Sequence, residues 1–226
     1  MSKLINVLYR GGGGGEFLGS LLTEHSDVVT KKVEHNESVE RWFLERNDKI
    51  STHYMDGSQP ISGKDWDDNL WNIRLDHGYG FHVHREYYQN YLWNDWDETK
   101  TILLQPRSED SVKYIDRLLT SKFRDTDIQT GMFMIDNGFD SGRWWSQPWK
   151  SCQELTTLYK DMIPSGHDYI EIDPCELFHR SRVRSDFALN ELIDYLEFDD
   201  YMMDEWILKI DKYRVNNKKL INNTIV

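Results

Sequence analysis

An α/β sandwich with a mainly parallel central sheet and a helical C-terminus is the fold class this sequence predicts, on three observations. A short apolar, β-branched run at Leu4 to Tyr9 gives way, after Arg10 and five glycines, to helical spacing at Phe17, Leu18, Leu21 and Leu22. Strand, turn and helix in that order form the first half of a parallel βαβ unit. Thr101-Ile102-Leu103-Leu104-Gln105 is nearly continuous apolar chain, as a central strand covered on both faces requires. Strand and helix patterns then continue to alternate toward the C-terminus.

Taken in order, Leu4 to Tyr9 predicts the first strand and Phe17 to Leu22 the first helix, with another strand at Val28 to Val33. Residues 36–77 are polar, with irregularly spaced apolar positions; the pattern predicts a helix near Ser38 to Arg46 and loops beyond it. Tyr79 to His84 alternates as a strand does, and an aromatic helix follows over Glu86 to Trp93. The strong strand at Thr101 ends at Pro106, which has no amide for a ladder. Ser108 caps the next helix, Glu109 and Asp110 favour its positive end, and Val112, Ile115 and Leu119 form its buried stripe. Leu155, Leu158, Tyr159 and Met162 predict a helix that stops before Pro164. Asp168 to Ile172 reads as the last strand, closed by Asp173-Pro174. Two terminal helices follow, marked by Leu189, Leu192, Ile193 and Leu196, then by Trp206, Ile207, Ile210, Tyr213 and Leu220.

Length and composition fix the organisation. The 226 residues, 38% hydrophobic and with nine Trp, carry enough apolar bulk for one sizeable core. A single domain over 1–226 is expected, with irregular insertions near 47–77 and 125–149. The formal charge of −12 disfavours duplex nucleic acid and anionic lipid as bulk partners. Mean hydropathy is −0.71 and no apolar stretch approaches membrane-spanning length. The N-terminus lacks a signal-peptide pattern, and Cys152 and Cys175 form no close-spaced pair, so a cytoplasmic protein with reduced thiols is expected.

Three places carry chemistry. Gly11 to Gly15 follow a strand and open a helix, where unpaired backbone amides can receive a phosphate that no side chain obstructs. The plain alternative is a turn that needs glycine conformations. No Gly-Lys-Ser or Gly-Lys-Thr follows, which disfavours an ordinary ATPase or GTPase, and a small-molecule kinase ranks last because neither a loop lysine nor a clear magnesium carboxylate is in place. Arg107 lies at the carboxyl end of the strongest strand, where ligands of open α/β sheets bind; Ser108 and Ser111 could add hydroxyls. The alternative is a capped helix beside an exposed arginine. His82 and His84, two apart on a strand, share a face and could serve as a general base; two His without Cys or a spaced acid are a weak zinc signal, and a hydrogen-bonded strand-end histidine is the plain reading. No metal is expected.

This order of features resembles the P-loop sulfotransferase family, in particular the short sulfotransferase-like proteins of some bacteria and phages. The likeness runs through strand, glycine loop and helix; a strand with histidine; a hydrophobic strand ending in arginine before a Ser-containing helix; and Tyr169-Ile170-Glu171-Ile172 followed by Cys175-Glu176-Leu177-Phe178. It implies a P-loop-type three-layer sandwich and a transferase that moves a sulfuryl group from 3′-phosphoadenosine 5′-phosphosulfate (PAPS), its co-substrate, to a hydroxyl or amine of a small-molecule or glycan acceptor. By the resemblance, Gly11, Gly12, Gly13, Gly14 and Gly15 cradle the 5′-phosphosulfate, and Arg107, with Ser108 and Ser111 near it, meets the 3′-phosphate. His84 is the matching catalytic base, with His82 second, and Arg10 is the cation at the edge of the loop. Trp66, Trp71, Trp144, Trp145 and Trp149, in the irregular insertions, are offered as packing surface for the acceptor, the plain alternative being core or interface packing.

The sequence departs from the family pattern in three ways. Glycine stands where the loop lysine or arginine belongs, Glu16 stands where a Ser or Thr touches phosphate, and Ile115 occupies the place of the serine expected two turns beyond the arginine. The missing lysine and Glu16, with the many surface-capable Trp and Tyr, support an alternative, a catalytically inactive protein of the same fold that serves as a binding or virion assembly component, as a homo-oligomer or with a phage structural partner.

Overall fold

The computed structural model describes residues 3–9, 15–22, 25–28, 52–54, 70–76, 96–112, 153, 156–157, 159–161, 163–177, 182–199 and 203–216. Five strands, β1 (Lys3–Tyr9), β2 (Thr52–Tyr54), β3 (Trp71–Asp76), β4 (Glu98–Leu104) and β5 (Tyr169–Ile172), form one sheet in the order β2-β3-β1-β4-β5. Every pairing among them is parallel. Parallel neighbours require crossovers, and the first is α1 (Gly15–Leu22). The chain is α/β, as the alternation predicts.

The strands show why each face is built as it is. Side chains alternate across a strand, so β1 sends Ile5, Val7 and Tyr9 to one face and Leu4, Asn6 and Leu8 to the other. The first set joins Ile73 and Trp71 of β3, Ile102 and Leu104 of β4, and Ile172 of β5 in a single buried apolar cluster. That cluster is closed by Leu18, Leu21 and Leu22 of α1, by Leu189, Leu192, Ile193 and Leu196 of α3 (Arg182–Leu196), and by Trp206, Ile207 and Ile210 of α4 (Met203–Asn216). The spacing of these helical positions is the 3.6-residue stripe of a core-facing helix. A short helix, α2 (Pro174–Leu177), buries Leu177 in the same cluster.

α3 ends in a Schellman motif. Glu197 takes a positive φ of 60°, the Phe198 amide donates to the Ile193 carbonyl at 3.1 Å, and the Glu197 amide donates to Asp194 at 3.2 Å. Glycine is the usual residue at such a position. Here Lys100 holds the glutamate, its ammonium donating at 2.7 Å to Glu197 Oε1 and at 2.7 Å to the Tyr195 carbonyl, and Lys100 in turn holds the Glu197 carboxyl below the usual range. The helix end is thereby tied to β4, and Phe198 is buried behind it.

The largest difference from the sequence reading is in residues 36–77. The polar pattern predicts a helix and loops there, yet β2 and β3 lie within it, and β3 is an inner strand between β2 and β1. Trp71-Asn72-Ile73-Arg74-Leu75-Asp76 alternates apolar with polar residues, a period-2 signal in a segment whose overall polarity conceals it. Trp71 and Ile73 are buried, so Trp71 belongs to the core and not to a surface for an acceptor; this corrects its assignment. Of the strand expected at Val28 to Val33, Val28 makes a parallel bridge to Trp71, and residues 29–33 lie outside the described residues. β4 begins at Glu98, three residues before the apolar run and level with Lys3 of β1, whose ammonium lies 3.6 Å from the Glu98 carboxylate. Among the described residues, no helix is long and apolar enough to cross a membrane.

Candidate functional site

In sheet order the connection from β1 runs to one side, toward β2, and that from its neighbour β4 runs to the other, toward β5, so the two strands flank a switch point. Open parallel sheets bind ligands at the carboxyl edge beside such a switch point. β1 and β4 are level there, since the register runs from Lys3 opposite Glu98 to Tyr9 opposite Leu104. The connection from Tyr9 to α1 and the turn from Leu104 through Arg107 therefore leave neighbouring strands at the same end of the sheet.

On the β1 side the structure fixes both flanks of the glycine run. Gly15 is the first residue of α1 and lies on the Tyr9 ring; a Cβ at that position would stand 2.3 to 2.5 Å from three ring carbons. Only glycine allows this approach, which gives one of the five glycines a packing reason. The Tyr9 carbonyl accepts a hydrogen bond of 3.0 Å from the buried Tyr159 hydroxyl, so the last residue of the strand is held from a segment 150 residues away.

On the β4 side a buried carboxylate organises the turn. Asp173, directly after β5, is 4% exposed. Its Oδ2 accepts the Arg107 amide at 2.9 Å and the Ser111 hydroxyl at 2.7 Å, and its Oδ1 accepts the Cys175 amide at 2.8 Å. Asp173 is thus the N-cap of α2, with Pro174 at the first helical position, and it also clamps the β4 turn to β5. Ser108 caps the helical backbone at 109–112: its Oγ accepts the Ser111 amide at 3.1 Å and donates to Ser111 Oγ at 3.0 Å. Cys175 lies beside this network; burial first, and the carboxylates of Asp173, Glu176 and Asp110 with it, push its thiol up to about 12, against a bond from Ser111 that lowers it. At neutral pH that thiol is protonated and no nucleophile.

Arg107 is the exposed cation of this edge. Its backbone amide is fixed by Asp173, while the guanidinium reaches along β5 and donates to the Glu171 carbonyl. Five N–H donors on a guanidinium leave several for a second partner. The Glu171 carboxylate is engaged elsewhere, 2.6 Å from Lys160 Nζ.

Of the residues predicted for the site, Gly15, Arg107, Ser108 and Ser111 lie in the described structure, and all four are at this edge. Arg10, Gly11, Gly12, Gly13, Gly14, His82 and His84 lie outside the described residues, as do Glu16's side chain and the remaining tryptophans offered to the acceptor. Ser111 is buried with its hydroxyl given to Asp173, so it works as a strut of the turn. Asp173, Tyr159 and Gln105 complete the edge and were not singled out from the sequence. For Asp173 a signal existed: Asp before Pro at a strand end is a helix N-cap pattern. A scan against models of known protein families matches none, and a search of curated proteins finds no match. Function is therefore read from the chemistry of this edge.

Proposed function

We propose that the chain, as a single domain over 1–226, is a cytoplasmic sulfotransferase-like protein on a P-loop-type three-layer sandwich, binding PAPS at the carboxyl edge of β1 and β4. In this reading the amides of Gly11 to Gly15 and Arg10 receive the 5′-phosphosulfate, and Arg107, with Ser108, receives the 3′-phosphate. His84, or His82, takes the proton of an acceptor hydroxyl or amine. The acceptor atom then bonds to sulfur while the bond from sulfur to the 5′-phosphate oxygen breaks, releasing adenosine 3′,5′-bisphosphate. Trp66, Trp144, Trp145 and Trp149 would pack against the small-molecule or glycan acceptor.

The observation that carries this reading is the level, adjacent placement of the β1 and β4 ends, which puts Gly15 and Arg107 on one edge of the sheet. The layer arrangement draws support from the bonds of Thr156, Tyr159 and Lys160 to Gln105, Tyr9 and Glu171, which bring a helical segment to the sheet apart from the α1, α3 and α4 cluster. One observation favours the inactive alternative, a binding or virion assembly component: Ser111 is committed to a buried carboxylate and is withheld from any phosphate.

Thermal unfolding with adenosine 3′,5′-bisphosphate tests the proposal. A ligand at a hundred times its Kd stabilises the native state by about 2.7 kcal/mol, so the melting temperature should climb with ligand, and Arg107→Ala should flatten that climb. A wild-type melting temperature that stays constant to millimolar nucleotide would reject nucleotide binding and leave the alternative.

A further inference from the structure

Buried polar side chains normally find hydrogen-bond partners, and those that do not ask for a reason. On β1, β4 and the residue just after β4, such atoms include those of Asn6, Thr99, Thr101 and the Nε2 of Gln105, with Thr99 toward the amino end of β4, away from the carboxyl edge. Asn6 and Thr101 are register partners in the middle of the sheet, away from both edges, where a ligand has no access. Gln105 differs. It is the first residue beyond β4, its amide still donating to the Ile172 carbonyl of β5 at 3.0 Å, and it directly precedes the turn that presents Arg107.

Gln105 is 2% exposed, and its Oε1 accepts from the Thr156 hydroxyl at 3.4 Å. That contact leaves the two N–H groups of Nε2 without an acceptor at the carboxyl edge, one position beyond the level pair of Tyr9 and Leu104. An apolar side chain of the same shape would fill this place without an unmet donor, so packing does not explain a glutamine here. An acceptor oxygen arriving at the switch point does.

We propose that Gln105 is a ligand-binding residue of this edge, its Nε2 donating to an anionic oxygen of the nucleotide that Arg107 also meets. The inference rests on the nucleotide reading above and adds to it a buried side-chain amide donor directly beside the Arg107 turn. Thr156 aims the amide by holding Oε1, and the neutral donor carries no charge to desolvate when the site is empty.

Titration calorimetry with adenosine 3′,5′-bisphosphate on wild type, Gln105→Met and Gln105→Glu, alongside unliganded melting temperatures, separates the possibilities. Gln105→Met should leave the unliganded melting temperature unchanged or raise it, and weaken nucleotide binding at least tenfold. Gln105→Glu keeps an acceptor for Thr156 but offers no donor, and should weaken binding further. If wild type binds and either variant binds within twofold of it, Gln105 is not a ligand and this inference falls while the nucleotide reading stands. If wild type does not bind, both fall together. A melting temperature lowered in Gln105→Met with binding retained would assign the glutamine to the fold alone.

Discussion

The two faces of the β1 and β4 pair are equally buried and differently made. On one, Ile5, Val7, Tyr9, Ile102 and Leu104 belong to a continuous apolar cluster with α1, α3 and α4. On the other, Leu4, Leu8 and Leu103 are buried outside that cluster and share the face with Asn6 and Thr101, whose polar side-chain atoms lack partners. The first face is where packing determines the fold. The second retains polar groups that add nothing to stability in this state, and it leads along β4 to Gln105 and the Arg107 turn. A protein selected for stability alone would fill it with valine and leucine, and under the proposed nucleotide reading its carboxyl end is where the ligand sits.

The largest effect expected from breaking this contrast is on the packed face. Gly15→Ala drives a methyl to within 2.3 Å of the Tyr9 ring at the first turn of α1. Overpacking of this kind costs roughly 1–3 kcal/mol, and chemical denaturation should report it in the midpoint. Shortening the obstacle with Tyr9→Leu in the same chain should recover part of the loss, a coupling that a double-mutant cycle measures. Additive losses would mean that the ring is not the obstacle.

A smaller effect of opposite sign is expected on the other face. Thr101→Val keeps the side-chain shape and removes an unpartnered hydroxyl, so stability should hold or rise by up to about 1 kcal/mol. A loss of more than that in the denaturation midpoint would show that the hydroxyl of Thr101 has a partner after all.

The smallest effect is a pH dependence of the packed face. His25 is buried, stacks on Phe198 with ring centroids 4.0 Å apart, and accepts the Asp27 amide at Nδ1 at 3.1 Å. Burial lowers its pKa below 6.5, against the opposing pull of the Asp27 and Asp199 carboxylates. The unfolded chain thus takes up the proton first as pH falls. Stability contributed by neutral His25 is complete above about 6.5, is lost as pH drops from there toward the folded value, and levels off below it. Melting temperatures from pH 8 to 5 should decline along a slope of no more than one proton, and His25→Gln should remove that component. A wild-type slope unchanged in His25→Gln would place the proton uptake elsewhere.

The sequence made the packed face legible because its signals are local. Leu4 to Tyr9, Thr101 to Leu104 and the Leu189 to Leu196 stripe carry their periods within a few residues, and the helices and strands there form close to the expected bounds. β3 was hidden because only alternate residues are apolar, so mean polarity masked a period that pairing with β1 satisfies. At the site, Arg107 and Ser108 could be found from a strand end followed by a cap. The N-cap role of Asp173 was legible in Asp173-Pro174, but its clamp on the Arg107 turn and the place of Gln105 were not, because the contacts that define them, 2.9 Å to Arg107 and 3.4 Å to Thr156, join positions 66 and 51 residues apart. Long-range hydrogen bonds leave no local period in a sequence.

The central claim is that the glycine turn and the arginine turn bound one nucleotide site at the switch point of the sheet. A crystal structure grown with millimolar adenosine 3′,5′-bisphosphate tests it most directly. The account predicts density for one phosphate at the start of α1 by Gly15 and for the other against the Arg107 guanidinium. An edge free of nucleotide under those conditions, or nucleotide bound at another surface, would contradict it.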